Sequence, residues 1–227
     1  MIIVIPEVLT RPQIETFRQA LASADWVDGS ATAGHIAARA KRNEQLPLDH
    51  PVGRQLGEIL LQALSNQPTF IAATLPARIL PPRFNRYQGG GTYGNHIDNA
   101  IFGVPGTAQR LRSDVSVTVF LSDPETYEGG ELVVEDTFGT YAVKLPAGQA
   151  VVYPSSSLHR VNPVLHGTRL ASFFWVQSLV REDHRRRMLW ELDQSIQALT
   201  TQNEQNDALA RLTGVYHNLI REWSIPV

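Results

Sequence analysis

The residues from Asp114 to Leu121 read Asp-Val-Ser-Val-Thr-Val-Phe-Leu and alternate without a break. A strand points successive side chains to opposite faces, so Val115, Val117, Val119 and Leu121 share one side while Ser116, Thr118 and Phe120 share the other. A helical period cannot sort that pattern, and it commits the middle of the chain to a β-sheet. Short β-branched or alternating segments, separated by Gly, Pro and Asp turns, recur around it at about 83–88, 93–97, 131–136, 138–145, 149–154, 158–164 and 168–178. Such spacing predicts an all-β sandwich or barrel, here a jelly roll.

The flanks follow the helical period instead. Thr10 and Gln13 make a capping box ahead of Ile14, Phe17, Leu21 and Ala24, predicting a helix over about 11–24 after a strand at 2–5. A second helix is expected over 51–65, opening near Pro51 and burying Val52, Leu56, Ile59, Leu60 and Leu64. Beyond residue 181, Leu189, Leu192, Ile196 and Leu199 form one stripe and Leu209, Leu212, Tyr216, Leu219 and Trp223 another, with polar Thr201 to Asn206 between them. That predicts a helical hairpin, packed on the barrel or its helices or serving a homo-oligomer contact. The expected chain is mainly β with flanking helices: an N-terminal strand and helices (1–77), a jelly-roll core (78–180) and a C-terminal helical hairpin (181–227).

Composition narrows the chemistry. The chain has no cysteine and seven histidines. Disulfides, thiolate metal sites and cysteine nucleophiles are excluded, so any metal must be held by His and carboxylate. A net charge of −2 gives no reason to expect nucleic acid or an anionic membrane as partner. No apolar run approaches the roughly 18 to 20 residues of a membrane span, and the first residues lack a signal h-region, so a soluble, cytoplasmic protein is expected. Only Lys41 and Lys144 are lysines among the 20 basic residues. The rest are arginines, suited to bidentate carboxylate contacts.

His96-Ile97-Asp98 is the strongest local feature. In a strand, residues i and i+2 share a face, so imidazole and carboxylate can converge on one ion. Alone, the triplet could equally be a hydrogen-bonded surface pair. His159, in the β segment Leu158 to Val161, could supply a third ligand, and two His with one carboxylate on one side of a metal leave the opposite positions open, as in non-haem Fe(II) oxygenases. Downstream, Val161 to Arg169 reads as a hairpin with its loop at Leu165 to Gly167. In that register Arg169 shares the face of His159 at an offset of roughly 13 Å, four residues at 3.3 Å each, a gap that a five-carbon dicarboxylate chelating the metal would span. Tyr87 and Tyr93 flank the Gly89-Gly90-Gly91 turn. Either could donate its phenol to a cosubstrate carboxylate or simply close the barrel mouth as an amphipathic aromatic. The segment 99–112, with Phe102, Pro105, Gly106 and Arg110, is a candidate substrate lid or an ordinary connection. Arg181 to Arg187 reads as a solvated helix face, and His35, His50, His166 and His184 show no ligand spacing.

Taken in order, Arg86-Tyr87, Tyr93, His96-Ile97-Asp98, Val117 to Ser122, Glu128-Gly129-Gly130-Glu131-Leu132, Leu145 to Pro154, Leu158-His159-Arg160-Val161 and Gly167-Thr168-Arg169 resemble the prolyl 4-hydroxylase type of Fe(II)/2-oxoglutarate-dependent dioxygenase over about residues 80–178. With its flanking helices the whole chain is similar to bacterial PKHD-type hydroxylases. The resemblance implies a double-stranded β-helix holding Fe(II) through His96, Asp98 and His159, with Arg169 on the distal carboxylate of 2-oxoglutarate and Tyr87 beside the cosubstrate. It implies O2 as co-reactant, succinate and CO2 as coproducts, L-ascorbate (vitamin C) as an accessory reductant, and a protein, amino-acid or small-metabolite substrate. Related halogenases lack the carboxylate ligand; Asp98 is present, which favours hydroxylation. The rival expectations are a non-catalytic jelly-roll module for binding a ligand or partner, and a cupin-like Mn or Zn enzyme.

Overall fold

The structure, a computed structural model, describes residues 1–32, 40–137, 139–202 and 207–225. His35 and most of the polar segment Thr201 to Asn206 lie outside them. Strand β1 (Ile3–Ile5), helix α1 (Arg11–Ala22), strands β2 (Val27–Asp28), β3 (Lys41–Arg42) and β4 (Glu44–Gln45), and helices α2 (Pro51–Ser65) and α3 (Pro68–Thr74) come first. The core follows as β5 (Pro76–Ile79), β6 (Arg83–Tyr87), β7 (Thr92–His96), β8 (Ile101–Gly103), β9 (Arg110–Arg112), β10 (Val115–Phe120), β11 (Tyr127–Gly129) and β12 (Leu132–Asp136). It continues through β13 (Gly139–Val143), β14 (Ala150–Pro154), β15 (His159–Val161), β16 (Val164–Gly167) and β17 (Arg169–Ser178), before helices α4 (Asp183–Gln202) and α5 (Asp207–Trp223).

Among the described residues, the larger sheet runs β1-β14-β10-β17-β6-β4-β2, with β5 also on β17, and the smaller runs β13-β12-β15-β7-β3. Their inner faces meet in one apolar cluster, with Tyr87, Phe120, Val151 and Tyr153 from the larger sheet against Leu132, Val134 and Val161 from the smaller. This is the jelly roll. The outer face of the larger sheet is covered: Val115, Val117, Val119, Ala150, Val152, Phe174 and Val176 pack with Ile14, Phe17 and Leu21 of α1, Leu56, Leu60 and Leu64 of α2 and Phe70 of α3. Strand β10 is therefore buried on both faces. Val115, Val117 and Val119 serve the helices, while Ser116, Thr118 and Phe120 face the space between the sheets.

The helices form for the reasons their sequences give. Gln13 Oε1 accepts from the Thr10 backbone N–H at 2.9 Å and its hydroxyl at 2.8 Å, closing the first turn of α1. Helix α3 is seven residues long, too short to show a period, but Pro68 opens it and the Gln67 side chain accepts from the Thr69 N–H.

Two local expectations are corrected. The segment 158–164 is not one strand of a hairpin with 168–178. It divides into β15, which pairs with β7 and β12, and β16, which pairs with β11, while β17 lies in the other sheet between β10 and β6. Gly167 has φ +73, and a Cβ there would stand 2.2 Å from the Thr126 carbonyl oxygen. The chain thus crosses between sheets against residues 126–127 rather than folding back on itself. Secondly, the Arg181 to Arg187 cluster is not uniformly solvated. Arg186 is 3% exposed and donates to the Val180 and Arg181 carbonyls while pairing with Asp183, which ties the start of α4 to the end of β17. The hairpin α4–α5 packs through Leu189, Tyr216, Leu219, Ile220 and Trp223 onto Leu75 and Val180. Leu199 and Leu212 remain exposed.

Candidate active site

The site is built from both sheets. Strand β7 carries His96 at its end and Asp98 two residues beyond; β15 lies beside it, with His159 directly opposite His96. Ligand atoms of His96, Asp98 and His159 all lie within 4.8 Å of one another. Asp98 Oδ1 is 4.0 Å from His96 Nε2, and Oδ2 is 3.7 Å from His159 Nε2. The two imidazoles are oriented alike: Nδ1 of His96 is 2.8 Å from the Gly94 carbonyl and Nδ1 of His159 is 3.0 Å from the Ser157 carbonyl. A carbonyl can only accept, so each Nδ1 carries the proton and each Nε2 presents a lone pair to the common centre. Burial, with the neighbouring His159, lowers the His96 pKa to about 4. At neutral pH it is an uncharged imidazole, able to ligate a metal.

Ser116, Ser155 and Tyr153, which the sequence reading did not single out, surround this trio together with Tyr93, which it did. The Ser116 hydroxyl donates to Asp98 Oδ2 at 2.6 Å and lies 2.8 Å from the Ser155 hydroxyl. Tyr93 stacks on His96 with centroids 3.6 Å apart, and Tyr153 meets His159 edge-on at 5.1 Å. The polar residue at position 116 in an otherwise buried strand was the available signal: Ser facing the interior needs a polar partner there.

Arg169 enters the cavity from the opposite sheet, in register with Tyr87 on β6. It is 1% exposed, and among the described residues it has no ion pair and its Nε has no hydrogen-bond partner. Its guanidinium carbon lies 5.4 Å from the Tyr87 ring centroid and 5.2 Å from that of Phe120. Burial raises the pKa of Tyr87, so its phenol stays protonated. A buried guanidinium without a carboxylate is costly unless a ligand completes it. The glycine pair in Glu128-Gly129-Gly130 also has its reason here. Both adopt positive φ, and a Cβ on Gly130 would crowd Val164, Tyr127 and the Arg169 side chain at 2.8 to 3.1 Å.

The cavity lining joins the trio and Arg169 to Lys41, Arg83, Phe102 and Trp175. Residues 99–112 form the β8–β9 hairpin at its rim, with Phe102 stacked on Trp175 at 4.0 Å. His50 is spent on capping α2, and exposed His166 stands 3.8 Å from Glu128.

Residues 82–177 match the model of the 2OG-Fe(II) oxygenase superfamily, and residues 183–224 match the PKHD-type hydroxylase C-terminal domain. A PKHD-type hydroxylase of Parvibaculum lavamentivorans is 60% identical over 99% of both chains. The chain belongs to the PKHD-type hydroxylases. Another such hydroxylase, from Delftia acidovorans, is 59% identical over the same shares. Among solved structures, a prolyl hydroxylase from Trichoplax adhaerens in complex with a hypoxia inducible factor peptide superposes with a TM-score of 0.59 at 16% identity, covering 83% of this chain and 86% of that one. HygX from Streptomyces hygroscopicus, with nickel and 2-oxoglutarate bound, gives 0.54 at 16% identity over 78% and 82%. At these identities the structural likeness speaks for the jelly roll. Membership in the family makes this PKHD-type hydroxylase an iron- and 2-oxoglutarate-dependent oxygenase, and the non-catalytic module is set aside. The donor set, two imidazoles with Nε2 turned inward and one carboxylate, fits such an iron. Among the described residues, no helix is long and apolar enough to cross a membrane.

Proposed function

We propose that His96, Asp98 and His159 hold Fe(II), that 2-oxoglutarate lies between them and Arg169, and that the enzyme hydroxylates an unactivated C–H bond of a protein, amino-acid or small-metabolite substrate. Iron with its cosubstrate supplies the oxidising chemistry, in which O2 and 2-oxoglutarate are consumed, succinate and CO2 leave, and one oxygen atom enters the substrate.

The chain's own residues do the positioning. The Gly94 and Ser157 carbonyls fix both imidazoles in one tautomer, and the Ser116 hydroxyl holds the Asp98 carboxylate while leaving Oδ1 free to ligate. Arg169 offers two parallel N–H donors to the distal carboxylate of 2-oxoglutarate. Tyr87, neutral and buried beside it, walls that end against water. L-ascorbate enters only as a reductant that keeps iron ferrous, which needs no built site.

The observation that carries this reading is the juxtaposition, in one cavity, of a preoriented His-Asp-His trio and an unpaired buried arginine. Anaerobic Fe(II) with 2-oxoglutarate should give a weak visible charge-transfer band, lost in His96→Ala and His159→Ala. An intact protein giving neither band nor succinate would overturn the proposal. Metal analysis with an oxygen-consumption assay separates iron from a Mn or Zn enzyme of the cupin kind.

A further inference from the structure

Arg83 has no place in the machinery described so far. It sits on β6 four residues before Tyr87, facing the same cavity, and pairs in register with Phe173 just as Tyr87 pairs with Arg169. The two arginines thus mark opposite ends of one sheet face, roughly 13 Å apart at 3.3 Å per residue. Among the described residues Arg83 has no ion pair, and its Nε is buried without a hydrogen-bond partner. Its guanidinium carbon lies 5.2 Å from the Trp175 ring centroid and 5.8 Å from that of Phe102. These two rings are themselves stacked, and Phe173 abuts Trp175 edge-on. Aromatic walls fix the guanidinium without satisfying its N–H groups.

Charge points the same way. Three cations, Lys41, Arg83 and Arg169, line the cavity, and Asp98 is its one acidic lining residue among those described. Fe(II) and the 2-oxoglutarate dianion cancel one another, and Asp98 offsets one cation. With Lys41 set against Asp28, the loaded cavity still keeps a positive excess at Arg83, and burial followed by repulsion from Arg83 lowers the Lys41 pKa to about 8.

We propose that Arg83 is the anchor for a carboxylate on the hydroxylated substrate, so that the site has two anion-binding poles, Arg169 for the cosubstrate and Arg83 for the substrate. This rests on the assignment of the iron and 2-oxoglutarate sites given above. The substrate is then an acid, bound with its carboxylate on Arg83, its apolar part against Phe102, Phe173 and Trp175, and its reacting carbon toward the His-Asp-His trio. The carboxylate could belong to a free small acid or to a protein.

The test uses the protein loaded with Zn(II) and saturating 2-oxoglutarate, titrated with fluorobenzoate and with its neutral counterpart fluorobenzamide by fluorine NMR. Wild type should bind the acid at least about tenfold more tightly, as expected for one charge-assisted contact. Arg83→Gln should bring the two affinities together, and Arg83→Lys should restore part of the difference. Equal affinities in wild type, or an unchanged ratio in Arg83→Gln, would overturn the proposal. The Fe(II)/2-oxoglutarate band is recorded anaerobically on parallel samples of the same proteins loaded with Fe(II) in place of Zn(II). Its retention in Arg83→Gln supports the separate pole and shows the site folded, whereas its selective loss would assign Arg83 to the cosubstrate and overturn the proposal. A missing band in wild type would sink the iron reading, while the fluorobenzoate ratio would still decide on Arg83. Finally, cell extract is split by ultrafiltration and by an anion exchanger, and each fraction is searched for a +16 Da product. Product from the small retained fraction identifies a free acid, and product from the large retained fraction a protein carboxylate. Product arising only from unretained material would refute an anionic substrate.

Discussion

The Arg169→Met substitution exchanges a buried, unpaired guanidinium for an apolar chain of similar length. Two consequences pull apart. In the free protein, the lost favourable contacts are the cation–π interactions with Tyr87 and Phe120, worth about 0.5 to 2 kcal/mol each. Against this stands the relief of a buried charge, an effective cost of several kcal/mol. Methionine fills irregular space well, so unfolding free energy without ligand should change by less than about 1 kcal/mol or rise, unlike the roughly 2 to 5 kcal/mol lost on truncating a large core side chain. Cosubstrate binding should suffer heavily. Two charge-assisted hydrogen bonds at about 1.5 to 3 kcal/mol each imply a loss of at least roughly 3 kcal/mol, or a hundredfold in Kd. Urea unfolding of the metal-free protein and anaerobic titration of the visible band with 2-oxoglutarate read the two effects separately. A variant that unfolds several kcal/mol more easily yet binds 2-oxoglutarate as before would show that Arg169 is a structural residue.

Other perturbations test the surroundings. Ser116→Ala removes the donor to Asp98 Oδ2 and should weaken metal affinity by roughly 10- to 100-fold, measured by competition with a chromogenic chelator; unchanged affinity would mean the hydroxyl does not orient the carboxylate. For Lys41, burial and Arg83 hold the folded pKa near 8 against 10.5. The folded state then binds fewer protons than the unfolded state between these values, so Lys41→Met should be stabilising at pH 7, by a few kcal/mol at most, with the advantage shrinking as pH rises from about 8 to 10.5. A difference between variant and wild type that is flat with pH would refute the sign. Gly129→Ala should cost more than about 2 kcal/mol in urea unfolding, because φ is +73 and a Cβ would stand 2.1 Å from the Pro163 carbonyl oxygen; a neutral substitution would show that the turn can relax.

What could be read from the sequence was whatever depends on period and on local spacing. The strict alternation of 115–120, the capping box at Thr10 and the two helical stripes after residue 181 each report a local backbone geometry, and each element appears where its pattern stands. His96 and Asp98 were legible from their i, i+2 spacing, although β7 ends at His96 and Asp98 stands just past it; His159, Arg169 and Tyr87 were candidates from their own segments, and the ordered resemblance joined them to the pair. Long-range partners were not legible. The pairing of β16 with β11 depends on a crossing at Gly167 that looks like a hairpin loop in the sequence, so Arg169 reached the cavity by the wrong route in the reading although it does line it. Arg83 and Lys41 carry no local mark at all: Arg83 takes its surroundings from β17 beside it and from the β8–β9 hairpin, and Lys41 from Tyr93 beside it and Phe173 across the cavity.

Strand β10 keeps its two duties on alternate residues. Its odd positions are interior oil for the helices and its even positions line the reaction chamber, so neighbouring residues in one hexapeptide answer to different selective pressures. A deep mutational scan across 115–120 should therefore show a two-beat rhythm, with abundance tracking Val115, Val117 and Val119 and catalysis tracking Ser116 and Thr118. In such an arrangement a change at Thr118 can alter the cavity wall while the valines that hold the helices stay in place.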